Sequence, residues 1–220
     1  MKLVFFSDTH GMHEDVQLPL GDILVFCGDM CRRSKLEDVS DFSNYIKKQS
    51  HKYKIVIAGN HDFPFENEDK IRAEKLITDS GAIYLNDSGT SIEGISFWGS
   101  PVQPEFMSWA FNRSRGDDIK RHWEKIPHNT DVLVTHGPPC GILDKLRPSG
   151  INVGCEDLLE KVLEVMPAIH AFGHIHEGYG VKKKGHTIFV NACNLDERYQ
   201  CVNNAIELEI WPKCGKTIPE

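Results

Sequence analysis

Two histidines with a single residue between them form the first chemical feature of this sequence. His174 and His176 lie in the segment FGHIHEGYG, which follows the apolar run 168–171. In an extended chain, residues i and i+2 point to the same side, so both imidazoles can face one pocket. Histidine is a common metal ligand, but strand histidines are more often surface residues or hydrogen-bonded core residues. The pair alone is therefore a weak indication of a metal site.

More residues of ligand type follow other short apolar runs, each where a predicted strand ends. Taken singly, a carboxylate there is typical of a helix N-cap, an asparagine of a turn, and a histidine of a structural residue. In an open α/β sheet, however, the carboxyl ends of the strands converge on one crevice in which ligands bind. Five predicted strands end this way, and separate, unrelated structural roles for each residue explain this regularity poorly. The residues concerned are Asp8, His10, Asp29, Asn60, His61, His136, His174 and His176.

The side-chain types in this set select a class of metal. Imidazole, carboxylate and amide oxygen without thiolate suit Mn, Fe or Zn rather than a structural, cysteine-rich zinc site. The set is too large for one tetrahedral ion and large enough for two ions that share a carboxylate. The sequence therefore predicts a binuclear metal centre.

The elements that must position these residues alternate between strand and helix. The apolar runs are short, continuous and rich in Val, Ile and Phe, which is typical of strands buried on both faces. Amphipathic segments at 36–49, 66–80 and 155–166 predict helices between several of them. The strands before the ligand-type residues are predicted at 3–7, 23–27, 55–58, 132–135 and 169–172.

A second group of short strands, joined by turns rich in Gly, Asn and Asp, is predicted in the middle and at the end of the chain. It indicates a second, partly antiparallel sheet packed on the first. No linker or repeat divides the sequence, so we expect a single α/β domain over residues 1–220. The strands of this group are predicted at 82–85, 90–99, 180–184, 187–190 and 205–210.

The composition indicates a globular protein and argues against several partners. Hydrophobic residues make up 40% and charged residues 26% of the 220 residues, and the formal net charge is -7. This balance disfavours a broad basic surface for duplex nucleic acid or an anionic membrane. No stretch approaches the ~20 apolar residues of a membrane span, and the N-terminus lacks the length of a signal peptide. The seven cysteines form no CxxC pair, which predicts reduced thiols in a cytoplasmic protein.

The order of the motifs resembles a known family. Five blocks match those of the calcineurin-like metallophosphoesterase superfamily, whose fold is a two-sheet β-sandwich flanked by helices in four αββα layers. Further segments at 99–104, 109–112, 153–155 and 176–180 are similar to its metallophosphoesterase-domain-containing (239-type) branch. The five blocks are Asp8-Thr9-His10, Gly28-Asp29, Gly59-Asn60-His61-Asp62, Thr135-His136-Gly137-Pro138-Pro139 and Gly173-His174-Ile175-His176.

The resemblance implies a role for each residue of these blocks. One ion would be held by Asp8, His10 and His176. The other would be held by Asn60, His136 and His174, with Asp29 bridging the two. His61 resembles a histidine that does not bind metal and assists the leaving group, and Asp62 would orient it.

The implied function is a metal-dependent phosphodiesterase that hydrolyses small phosphodiesters, such as cyclic nucleotides, through a hydroxide bridging two metal ions. The ions would be divalent or of mixed valence (Mn, Fe or Zn), with Mn expected to support activity in vitro. A phosphomonoesterase or protein phosphatase on the same metal core is an alternative, as is a non-catalytic metal-binding scaffold. The sequence disfavours nucleic acid as a partner and leaves the oligomeric state open.

The stretch 103–113 is rich in aromatic residues and ends in Arg113. It could form a wall on which a nucleobase stacks, or a loop whose aromatic side chains pack on the domain. The pattern favours packing for Phe106, and substrate contact for Trp109 and Asn112.

Overall fold

The computed structural model describes residues 1–212, which form two sheets and four helices of more than one turn. Elements are numbered in chain order. The first sheet has a parallel body with one antiparallel edge strand next to β1. Its strands, in spatial order, are β13 (Ile206–Glu209), β1 (Lys2–Phe6), β2 (Ile23–Phe26), β3 (Tyr53–Val56) and β4 (Ile83–Tyr84).

The second sheet has a parallel centre between two antiparallel edge pairs. Its strands, in spatial order, are β11 (Gly180–Lys184), β12 (Thr187–Asn191), β10 (Ile169–Phe172), β9 (Val132–Thr135), β6 (Ile95–Ser100) and β5 (Ser88–Ile92). A separate two-stranded pair, β7 (Gln103–Pro104) and β8 (Asn112–Arg113), lies at the two ends of the aromatic stretch.

Helices cover the outer face of each sheet. The helices are α1 (Leu36–Lys48), α2 (Lys70–Asp79), α3 (Asp117–Trp123) and α4 (Glu156–Val165). Side chains of α1 and α2 pack with one face of the first sheet, and those of α3 and α4 pack with one face of the second. The remaining faces of the two sheets pack on each other, which completes four layers in the order α, β, β, α.

Strand β1 shows why its sequence is apolar at every position. Leu3 and Phe5 lie in the core between the sheets, whereas Val4 and Phe6 lie in the core under the helices. Side chains alternate between faces along a strand, so a strand buried on both faces cannot alternate apolar and polar residues. Each buried phenylalanine of this kind contributes about 1.5–3 kcal/mol from removal of its side chain from water.

The predicted two-sheet sandwich flanked by helices is confirmed, but the assignment of strands to sheets differs from the expectation. The strands at 132–135 and 169–172, predicted in the same sheet as β1, belong to the second sheet, so the ligand-type residues meet across the two sheets. The strands at 82–85 and 205–210, predicted in the second sheet, belong to the first, where they pair with β3 and β1. An apolar pattern identifies a strand but does not specify its partner, because pairing depends on distant parts of the chain.

No helix within residues 1–212 is both long and apolar enough to cross a membrane. All six cysteines in these residues are free thiols. Cys214 and the rest of the expected domain after Pro212 lie outside the described residues.

Candidate metal centre

The eight ligand-type residues meet at the carboxyl ends of β1, β2, β3, β9 and β10, in the loops that follow these strands. The ligand atoms of seven of them, all but Asn60, form three overlapping groups, and within each group all atoms lie within 4.8 Å of one another. The groups are Asp8 with His10 and His176, Asp29 with His136 and His174, and His10 with Asp29 and His61.

The first cluster contains Asp8, His10 and His176. The His176 Nε2 atom lies 3.4 Å from Asp8 Oδ1. The other carboxylate oxygen of Asp8 accepts a hydrogen bond from the Ser7 hydroxyl at 2.5 Å, and the Cys193 thiol donates to it at 3.2 Å. The His174 backbone N–H donates to both oxygens at 3.0 Å, so the carboxylate is fixed by the protein with Oδ1 facing His176.

The second cluster contains Asp29, Asn60, His136 and His174. The Asn60 Oδ1 atom lies 2.8 Å from both His136 Nε2 and His174 Nδ1. The Asp29 Oδ2 atom lies 3.4 Å from His136 Nε2 and 3.7 Å from His10 Nε2. Asp29 therefore stands between the two clusters, facing a histidine of each.

The donor set fits metal ions, because its lone pairs point at one another. The His136 Nδ1 atom lies 3.0 Å from the carbonyl of Cys27, to which it can only donate. In neutral His136 the lone pair is then on Nε2, which faces the oxygen of Asn60. The same holds for His176, whose Nδ1 donates to the Asp196 carbonyl at 2.9 Å and whose Nε2 faces Asp8.

Acceptors this close repel each other unless a cation or a proton lies among them. In addition, His10 Nε2 is buried and makes no hydrogen bond within residues 1–212. Imidazole nitrogens with carboxylate and amide oxygens suit Mn, Fe and Zn. The residues present thus fit transition-metal ions, and the clusters are candidate metal-ligand sites.

The pKa values of the buried histidines and carboxylates also indicate that the clusters attract positive charge. Burial opposes protonation of His136, but the Asp29 carboxylate outweighs it and raises the pKa of His136 to about 9. Burial likewise opposes protonation of His176, yet the interaction with the Asp8 carboxylate raises the pKa of His176 to about 9. Burial also opposes ionisation of both carboxylates, but the adjacent histidines hold the pKa of Asp8 and of Asp29 well below the usual range. Without metal, protons on His136 and His176 compensate the buried negative charge.

Close backbone approach explains why glycine precedes several of these ligands. A Cβ atom on Gly173 would lie 1.9 Å from Asp8 Oδ2, and one on Gly59 would lie 2.3 Å from Asp29 Oδ1. Real Cβ atoms do not come this close to oxygen, so only glycine fits both positions. Asp8, Asp29 and His174 themselves have positive φ angles of 53°, 62° and 68°. Such strain is typical of functional sites, where packing holds a residue in an uncommon conformation.

His61 lies at the edge of the clusters. Its ring centroid is 4.6 Å from that of His10, and its backbone N–H donates to Asp29 Oδ1 at 2.8 Å. Trp109 stacks on the ring of His61, with ring centroids 4.1 Å apart and an interplanar angle of 29°. The imidazole is therefore in contact with both a candidate metal ligand and an aromatic side chain.

Asp62 has different partners from those we expected. The resemblance implies that it orients His61, but its carboxylate accepts hydrogen bonds from the backbone N–H groups of Gly59, Asp29, Met30 and Cys31 at 2.8–3.3 Å. Within residues 1–212 it makes no hydrogen bond to the His61 ring. Asp62 is fully buried between the loops after β2 and β3, so it joins the loop of Asp29 to that of Asn60.

The clusters lie at the floor of a cavity of about 520 Å³, whose rim comes from several loops. Five of their residues line it, and the other two, Asp8 and His136, are fully buried. Trp109 lines this cavity, and its contact with substrate stays a prediction. Phe106, expected to pack on the domain, is 59% exposed and also lines it. Asn112 does not line it, because its amide group donates to the carbonyls of Phe106 and Met107 and accepts from Gln103.

Several rim residues were not predicted as site residues from the sequence. Tyr199 lies in a turn beyond the recognised blocks, and three glutamates come from separate loops: Glu105, Glu177 and Glu197. Arg115 is the one lysine or arginine among the described residues that line the cavity. Only the folded chain brings these residues together.

Comparison with known proteins identifies the family. The sequence model of the calcineurin-like phosphoesterase family matches residues 1–178. The chain belongs to this family. All eight ligand-type residues lie within the matched range, and membership supports hydrolysis of phosphoric esters as the class of activity.

Relatives of this calcineurin-like phosphoesterase occur in animals. Human metallophosphoesterase domain-containing protein 1 is 38% identical over 232 residues, which cover 95% of this chain and 71% of the human protein. UPF0046 protein K07C11.7 of Caenorhabditis elegans is 36% identical over 214 residues, covering 91% of this chain and 72% of the worm protein.

A likeness to a solved structure supports the fold. The crystal structure of TT1561 of Thermus thermophilus superposes with a TM-score of 0.58 at 14% identity, covering 86% of this chain and 88% of that chain. At this identity the likeness concerns the fold alone.

Proposed function

We propose that the protein is a metal-dependent phosphodiesterase that hydrolyses small phosphodiesters, with cyclic nucleotides as candidate substrates. The observation that carries this proposal is the pair of metal-ligand clusters on either side of Asp29, at the floor of a cavity of about 520 Å³. The cavity volume is in the range of small-molecule sites.

In this proposal the two clusters hold two ions. Asp8, His10 and His176 would hold one, Asn60, His136 and His174 would hold the other, and Asp29 would serve both. Bound there, two such ions would supply positive charge for the phosphoryl oxygens and lower the pKa of a water molecule towards roughly 7. Manganese is the ion we expect to support activity in vitro.

The residues of the chain hold and orient the reactants. Ser7 and Cys193 fix one oxygen of Asp8, and Asp62 fixes the backbone of the Asp29 and Asn60 loops. His61, supported by Trp109, donates a proton to the departing oxygen of the ester. Such general acid catalysis typically contributes ~10²–10⁴ in rate.

The acidic rim favours a diester over a monoester. A phosphodiester carries one negative charge near pH 7, whereas a phosphomonoester carries about -1.5 to -2. Glu105, Glu177 and Glu197 line the cavity, and the guanidinium of Arg115 is engaged with the carbonyls of Val153 and Gly154. The additional charge of a monoester is therefore less well accommodated here, which weighs against a phosphomonoesterase or protein phosphatase.

A substrate panel tests the proposal. Protein stripped of metal and reconstituted with Mn²⁺, Fe²⁺ or Zn²⁺ is assayed on bis-p-nitrophenyl phosphate, p-nitrophenyl phosphate, 2′,3′- and 3′,5′-cyclic nucleotides and a phosphoserine peptide. We expect two ions per chain and a higher kcat/KM on diesters than on monoesters. A preference for monoesters would contradict the diesterase proposal. No hydrolysis of any ester by fully metallated protein would favour the metal-binding scaffold.

We also propose a cytoplasmic location. The six free thiols within residues 1–212 support a reducing compartment, since secreted proteins usually pair their cysteines.

A further inference from the structure

Tyr199 stands over the first metal-ligand cluster. Its ring centroid lies 4.9 Å from that of His10 and 5.1 Å from that of His176. The ring planes are inclined by 64° and 55° to these imidazoles, so neither histidine stacks flat on the tyrosine. The residue is 51% exposed and lines the cavity. An aromatic surface next to two candidate metal ligands is thus open to whatever occupies the cavity.

The turn that carries Tyr199 is held firmly by Asp196. The Asp196 carboxylate accepts the backbone N–H groups of Arg198 and Gln200, both at 2.9 Å. The Tyr199 N–H donates to the Asp196 carbonyl at 2.9 Å, and the Asp196 N–H donates to Gln200 at 3.0 Å. This network places the tyrosine on an ordered turn at the rim.

The backbone of Tyr199 is strained for its residue type. Its φ angle is 58°, in the left-handed region that glycine and asparagine adopt readily and a bulky aromatic residue does not. A glycine would form the same turn with less strain. Strain of this kind is a reason to look for a function of the side chain.

Trp109, another large ring at the cavity, is differently placed. One of its faces is covered by His61 at 4.1 Å, so it supports the imidazole as well as lining the cavity. Tyr199 has no parallel partner of this kind among residues 1–212. Of the two rings, the tyrosine therefore offers the freer surface for stacking.

We propose that Tyr199 forms a subsite for the non-leaving organic group of the ester, and that this group is planar and aromatic, as in an aryl or nucleobase-bearing phosphodiester. The proposal rests on the phosphodiesterase function. The wall of the same cavity also includes exposed apolar side chains, Phe106 and Met107, which suits an apolar ring. Tyr199 contacts the organic group, while the phosphoryl group lies at the clusters below.

Two diesters with the same leaving group isolate this contact. Phenyl p-nitrophenyl phosphate and methyl p-nitrophenyl phosphate both release p-nitrophenolate and differ only in the group that remains on phosphorus. We expect wild-type protein to prefer the phenyl ester, and Tyr199→Ala to reduce that preference about tenfold, mainly through KM. Tyr199→Phe retains the ring and should keep the preference within about twofold.

Controls separate a subsite from a structural role. Tyr199→Gly relieves the backbone strain and should show the same loss of preference as Tyr199→Ala, with metal content equal to wild type. Trp211→Ala removes an aromatic residue that is 70% exposed and does not line the cavity, so it should leave the preference unchanged. An equal loss of kcat/KM on both esters in Tyr199→Ala, or a loss of activity that follows loss of metal, would contradict the proposed subsite.

Binding gives a readout independent of turnover. Calorimetry with phenylphosphonate and methylphosphonate should show weaker binding of only the phenyl ligand to Tyr199→Ala. If wild-type protein hydrolyses no diester, the proposed function fails, yet the phosphonate comparison still tests the subsite. Unchanged phenylphosphonate affinity in Tyr199→Ala would refute it.

Discussion

The floor and the rim of the cavity differ in how their side chains are held. On the floor, Asp8 and His136 are fully buried, and glycines bring the ligand loops into close contact. On the rim, Phe106 and Tyr199 are more than half exposed, and they come from loops outside the two main sheets. The floor can therefore support one chemistry, the hydrolysis of phosphoric esters. Substitutions on the rim can alter which ester is preferred without moving the ligand residues of the floor.

The largest expected effect is on the floor, at Asp29. Asp29→Asn replaces the carboxylate that faces His10 and His136 by a neutral amide. Both ions should therefore be lost, and kcat/KM on bis-p-nitrophenyl phosphate should fall by at least about 10³-fold. Asp8→Asn, confined to one cluster, should lose mainly one ion. Metal analysis of both variants checks this, and two bound ions in Asp29→Asn would show that Asp29 does not bridge.

His61→Ala should reduce kcat by about 10²–10⁴-fold while the metal content stays near wild type, because its role is proton donation. His128→Ala is the matched control, since this histidine is exposed near Glu164. His61 also lies within 4.8 Å of ligand atoms of His10 and Asp29. A loss of activity that follows loss of metal would therefore reassign His61 to the ligands.

Gly173→Ala tests whether the floor depends on close backbone approach. The new Cβ would lie 1.9 Å from Asp8 Oδ2 and 2.2 Å from Ser7 Oγ, so Asp8 must move. We expect loss of metal from the first cluster, a fall in activity of about 100-fold, and destabilisation of about 1–3 kcal/mol or more. In Gly137→Ala, the atom nearest to the new Cβ would be at 3.6 Å, and metal content, activity and stability should all change little. Thermal unfolding and metal analysis distinguish the two variants.

Metal binding to the floor should strengthen as pH rises. The pKa of His136 and of His176 is about 9 in the metal-free protein, so at pH 7 each ion must displace a proton. The affinity of each site should increase about tenfold per pH unit up to about pH 9. Titration against a competing chelator between pH 6 and 8, with proton release recorded, measures this. A flat profile would mean that these histidines are already neutral.

The smallest expected effect is on the rim. Replacing Glu105, Glu177 and Glu197 together by glutamine should raise the ratio of monoester to diester activity about two- to fivefold, because exposed charges act weakly through water. Glu160→Gln, on the exposed face of α4, is the control and should leave the ratio unchanged. A ratio that does not respond to the triple variant would remove the acidic rim as a determinant of substrate.

The sequence alone predicted most of the floor. Residue type and position at the end of an apolar run are local properties, so Asp8, Asn60 and His136 could be recognised as ligand-type residues before any fold was known. The two-sheet sandwich followed from the same strand patterns together with the family resemblance.

Only the tertiary structure decided which loops meet. Asp8 and His174 are 166 positions apart and follow strands of different sheets, yet the His174 backbone N–H donates a hydrogen bond to the Asp8 carboxylate. Asp62 turned out to hold backbone N–H groups rather than His61, and Tyr199 reached the cavity from a turn without any diagnostic pattern. Such contacts depend on strand pairing and loop conformation across the whole chain, which local patterns do not encode.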